Sequence, residues 1–190
     1  VANKAYSLEN LHLQMREERL CAGLSQEQMG ALLKKGRKAV SEIENGYVKP
    51  NPLLAIRWFE ITESYEHIDL VHYLFNLHPL ATVPVDPELN QRPAMATNNL
   101  RRQIEHALPA IERIEEWMLK QRPGRKTEIP LGDFKELSDL DDALKTLFYA
   151  CQRKVGLDMK EVSDSWTMEA LADQVAMPRY QEKTKEMSFA

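Results

Sequence analysis

Four cations, Lys34, Lys35, Arg37 and Lys38, fall within five residues of this 190-residue chain, with no carboxylate among them. Such a cluster makes and breaks no bonds. Its chemistry is the neutralisation and hydrogen bonding of a polyanion. Alone, the run would read as a solvated charged face. It is framed, however, by Ser25-Gln26-Glu27 on one side and Ile43-Glu44-Asn45-Gly46 on the other. That frame predicts two short helices joined by a tight turn, with the second helix basic and ended by Asn-Gly. Helices so joined can set one of them in the major groove of DNA.

Other reactive residues are poorly arranged for chemistry. His67, His72 and His78 are spaced too unevenly for one helical face and have no partner at ligand spacing, so no metal is expected. Ser138 to Asp142 lacks the glycine and terminal glutamate of a calcium loop and reads as helix-capping acids. No Gly-rich phosphate loop, nucleophile elbow or paired catalytic carboxylates stand out, so neither an enzyme nor a cofactor is expected.

The elements that must position the cationic cluster belong to a chain of ordinary globular composition. Hydrophobic residues are 43% and charged residues 28%, and the net charge is −4. An acidic molecule binds nucleic acid only through a local basic face. No apolar run approaches the roughly 20 residues that span a bilayer, and the first residues lack the apolar core of a secretory signal. Cys21 and Cys151 form no CxxC pair and suit a reduced, cytoplasmic protein.

A helix is predicted over residues 8–22, with Leu8, Leu11, Met15 and Leu20 as its apolar positions, stopped by Gly23. Ser25 and Gln28 form a capping box for the next helix, whose apolar face is Met29, Leu32 and Leu33. Lys34-Lys35-Gly36 is the turn. Arg37 to Glu44 follows, with Val40 and Ile43 inward and Arg37, Lys38, Ser41 and Glu42 outward. Asn51-Pro52 opens a fourth helix with Leu53, Ile56, Trp58, Phe59 and Ile61 as its core, and a fifth covers Glu66 to Leu77. Pro79, Pro84, Pro87 and Pro93 mark a linker.

Helical periodicity returns from Asn98 to Gln121 in Leu100, Ile104, Ala107, Leu108, Ile111, Ile114 and Met118, with Pro109 expected to kink or split the helix. Residues 122–132 form a second break. A helix carrying Leu137 to Cys151 then ends near Gly156, another covers residues 158–176, and the tail from Pro178 is polar. Trp117 and Trp166 are read as core or dimer-packing residues. The expected fold is all-α, with a five-helix domain at 1–77, a Pro-rich linker at 78–97 and a helical domain at 98–190.

Leu24-Ser25-Gln26-Glu27 and Ile43-Glu44-Asn45-Gly46 stand at the ungapped spacing of a known family. Residues 16–61 resemble the helix-turn-helix domain of the phage repressor and Cro class, the xenobiotic-response-element regulators. The resemblance covers roughly the first 75 residues. It implies that Arg19 pairs with Glu44, fastening the first helix to the third. It also implies that Ser25, Gln26 and Asn45 meet the DNA backbone, with Lys34, Lys35 and Lys49 adding positive charge there. Arg37, Lys38, Ser41 and Glu42 fall on the base-reading face. Arg and Lys suit the two acceptors of guanine, and Glu accepts from the cytosine amino group. The turn departs from the family pattern of Gly, a small apolar residue and a Ser or Thr cap. Here the plug is Lys35 and the cap is Gly36.

The resemblance therefore implies a double-stranded DNA-binding transcription regulator, a repressor acting as a homodimer on a partly palindromic operator. Two recognition helices would enter successive major grooves about 34 Å apart. The segment 98–121 is the candidate dimer contact, set against packing within one subunit. The C-terminal half could also hold a small-molecule effector or a protein partner, as in an antitoxin whose N-terminal half autoregulates.

Overall fold

The computed structural model describes residues 6–83, 85, 92–122 and 127–176. Pro84 and Pro87 of the expected linker, part of the break after Gln121, and the tail from Pro178 lie outside the described residues. The elements are α1 (Leu11–Cys21), α2 (Gln26–Leu32), α3 (Arg37–Glu44), α4 (Pro52–Ile61), α5 (Tyr65–Leu74), α6 (Pro93–Leu119), α7 (Leu131–Val155) and α8 (Met159–Ala172). Among the described residues there is no strand and no helix long and apolar enough to cross a membrane.

Local signals set several boundaries. Ser25 Oγ accepts from the Gln28 backbone N–H at 3.1 Å, and Gln28 Oε1 accepts from the Ser25 N–H at 2.8 Å, so α2 starts on a complete capping box. Asn51 Oδ1 accepts from the Leu54 N–H at 2.8 Å, with Pro52 at the first helical position of α4. Gly156, at φ 72°, ends α7 in the left-handed conformation.

α1 to α5 enclose one core of Leu11, Met15, Met29, Val40, Ile43, Ala55, Trp58, Phe59, Leu70 and Val71. Trp58 is fully buried, and its indole N–H donates to the Met15 carbonyl at 2.8 Å, tying α4 to α1. Leu8, Leu20, Leu32 and Leu53, expected on apolar faces, are exposed. Leu8 lies in the turn before α1, and the other three stand at or near helix ends, where the small core does not reach.

A polar seam joins α1 and α5. His67 stacks on Phe59 with ring centroids 5.0 Å apart, and its Nδ1 lies 2.7 Å from Ser64 Oγ. Burial lowers its pKa to about 4, although Glu17 pulls the other way. Burial raises the pKa of nearby Glu18. Among the described residues no cluster of His, Cys, Asp and Glu could hold a metal ion.

α6 and α7 form a long antiparallel pair. Arg113 Nε donates to Asp133 Oδ1 at 2.8 Å near one end, and Ala96, Ala107, Ala110, Ile114, Ala143, Thr146 and Ala150 are buried. α6 starts at Pro93, five residues before the periodicity suggested, and runs unsplit through Pro109. Ala107 and Ala110, on either side of the proline, are both buried, so packing holds the helix together where one backbone N–H is missing.

Polar contacts bridge α7 to α5 and its flanks. Tyr149 Oη donates to Asp69 at 2.5 Å, Gln152 Nε2 to the Glu63 carbonyl at 2.8 Å, and Arg153 pairs with Glu66. Thr82 Oγ1, beyond α5, donates to Asp142 at 2.6 Å.

Candidate nucleic-acid interface

The turn between α2 and α3 is set by backbone. Gly30 is buried in α2, and the Lys35 N–H donates to its carbonyl at 2.7 Å. A Cβ at Gly30 would stand 2.8 Å from the Lys35 carbonyl oxygen, so only glycine lets the turn come this close. Lys34 takes the left-handed conformation at φ 54°, the geometry a glycine would adopt with less strain. Lys35 is exposed, so the position of the apolar plug is left without one, and the turn closes through the Gly30 bond and the half-buried Leu33. Gly36 is the N-cap of α3 at φ −77°, ψ 155°, and has no side chain to offer.

α3 is fixed from behind. Val40, Ile43 and Glu44 are buried. Glu44 takes both arms of the Arg19 guanidinium: Nη2 to Oε2 at 3.0 Å, and Nε to Oε1. Arg19 Nη1 also donates to the Leu24 carbonyl, just before α2. Gln26 Nε2 adds a bond of 2.8 Å to Glu44 Oε2. One carboxylate thus joins α1, α2 and α3. Breaking such a buried pair from one side leaves an uncompensated charge, at a cost of about 3–5 kcal/mol. Gln26 is half-buried in this network, its amide already committed to Glu44.

The opposite face is open. Arg37 and Lys38 are exposed, and Ser41 and Glu42 are half-buried beside them, one turn on. Lys38 Nζ lies 3.7 Å from Glu42 Oε1, an exposed pair worth well under about 1 kcal/mol and readily exchanged for another partner. Lys34, Lys35 and Lys49 are exposed, as is Ser25 at the start of α2. Asn45 Nδ2 donates to the Ser41 carbonyl at 2.8 Å and lies 3.3 Å from Ser41 Oγ, so its amide closes the end of α3.

Two supporting residues were not singled out by sequence reasoning. Gly30 is one; an isolated glycine inside a helix costs about 1 kcal/mol, and that cost was the signal. His12 is the other. Its ring lies 3.3 Å from where a Cβ on Gly46 would stand, and Gly46 is at φ 74°. No local pattern in the sequence marks that contact.

A two-helix unit with a buried anchor behind presents a fixed cationic face in front. Residues 15–63 match the family model described as helix-turn-helix. The N-terminal part of the chain is a helix-turn-helix domain of the Cro and phage-repressor type, and the protein is a DNA-binding regulator. No curated protein and no solved structure matched the chain.

Proposed function

We propose that this protein represses transcription as a homodimer, with residues 98–190 providing a dimerisation or effector domain beyond the DNA-binding unit of residues 1–77. The observation that carries the reading is the exposed Arg37–Lys38 face on a helix anchored by Glu44. Arg37, Lys38, Ser41 and Glu42 read base edges. Lys34, Lys35, Lys49, Ser25, Gln26 and Asn45 hold phosphates, Gln26 through the amide hydrogen that Glu44 leaves free. A cytoplasmic location is part of this reading, supported by the DNA-binding role.

Selection of bound sites from a random duplex library tests this. The expected result is two inverted half-sites about one helical turn apart. Arg37→Ala and Lys38→Ala should each weaken operator binding by about 1–3 kcal/mol and leave thermal stability unchanged. Wild-type affinity in either variant would exclude that face of α3 as the reader. A second reading, an antitoxin-like module, is favoured by the exposed Trp166, Met168 and Val175 of the α8 region. Co-purification of a small protein through the C-terminal half would support it.

A further inference from the structure

α6 carries two apolar stripes, and only one is covered. Gln103, Ala107, Ala110, Ile114 and Trp117 are buried or half-buried on the stripe that packs on α7. One residue along, rotated by about 100° around the helix, lies a second stripe. In it Ile104, Leu108, Ile111 and Met118 are 44%, 57%, 46% and 61% exposed. Isolated exposed apolar residues need no explanation, but four at helical spacing on one face form a contiguous strip.

The two ends of the strip carry opposite charges. Arg101 stands seven residues before Leu108 and Glu115 seven residues after it, so both fall on the exposed face. Of the neighbouring charges, Arg113 is engaged with Asp133 and Glu116 with Lys120, whereas Glu105 and Glu112, exposed beside Leu108, have no ion-pair partner among the described residues. Among the described residues neither Arg101 nor Glu115 has an ion-pair partner.

We propose that this strip is the homodimer contact, formed by α6 packing antiparallel on α6 of a second copy with Leu108 at the two-fold axis. The proposal rests on the homodimer reading above and names its surface. In that arrangement Arg101 of each copy meets Glu115 of the other, so both ends of the contact are neutralised by one symmetric operation. A parallel arrangement would set Arg101 against Arg101 and Glu115 against Glu115, which is repulsive at both ends. At its two ends, Arg101 and Glu115, the strip is therefore complementary to itself in one direction only.

The test uses the full chain in sedimentation equilibrium, with helix content checked by circular dichroism. The parent should be a dimer. Leu108→Asp should weaken self-association at least about a hundredfold, because two carboxylates would be buried at the axis. Arg101→Glu and Glu115→Arg should each weaken it about tenfold, and the double variant R101E/E115R should restore it to within about threefold. A parent that stays monomeric overturns both the homodimer reading and this surface. A dimeric parent whose Leu108→Asp variant associates unchanged overturns the surface alone. Should Leu108→Asp fail to fold, the charge exchange decides: absence of restoration by the double variant overturns the antiparallel contact.

Discussion

The two halves of the chain bury different kinds of side chain. Around α1–α5 the fully buried residues are large: Trp58, Phe59, Leu11, Met15, Met29 and Leu70. Around α6–α8 they are mostly alanines, and several large apolar residues, among them Leu108, Met118, Trp166 and Met168, stay in water. Burial of large apolar area is what stabilises a small fold. The first half is complete as one chain. The second has close helix contact through alanine, together with exposed apolar surface.

Two tryptophans put this contrast to the test. Trp58→Ala should destabilise the N-terminal half by about 3–5 kcal/mol, read by urea unfolding, because it empties the core and removes the indole bond to the Met15 carbonyl. The next effect is an acid dependence of the same core. The unfolded chain protonates His67 below about pH 6.5, whereas the native histidine resists protonation down to about 4. Its folded pKa is lowered, so stability is lost as pH falls through that window, by at most about 3 kcal/mol. Glu18, with its pKa raised, offsets part of the loss. A His67→Phe variant should flatten the slope of urea stability against pH between 6.5 and 4; an unchanged slope would place the acid sensitivity elsewhere.

Smaller effects should follow. Gly36→Ser adds the missing N-cap of α3 in open space and should raise stability by a few tenths of a kcal/mol. Trp166→Ala, at a site 62% exposed, should change the stability of the chain by less than about 0.5 kcal/mol. A large loss there, growing with protein concentration, would mean that α8 is also buried between copies, and the contrast between the halves would need redrawing.

Signals that act over a few residues were legible in the sequence. The Ser25–Gln28 box, Asn51-Pro52 and the Gly156 stop depend only on neighbours, and the structure forms all three. Arg19 and Glu44 lie 25 residues apart and were paired through family resemblance; the structure brings them together. Decisions made by tertiary packing were hidden. Ile104, Ala107, Leu108 and Ile111 read as one stripe, and only α7 divides them into a covered face and an open one. Pro109 reads as a break, and buried alanines carry the helix past it. The Lys38–Glu42 pairing and the commitment of Gln26 to Glu44 depend on rotamers that no spacing specifies.

The Glu44 anchor also bears on how fast and at what entropic cost DNA is engaged. Arg19 and Gln26 hold α3 against α1 and α2 before any duplex arrives. In the proposed DNA complex α3 therefore brings little disorder to be removed on association. Encounter should be governed by diffusion and the attraction of the cations for phosphate, with no slow search for a competent conformation. On the proposed reading, the ordering penalty that remains falls on the ends of Arg37 and Lys38.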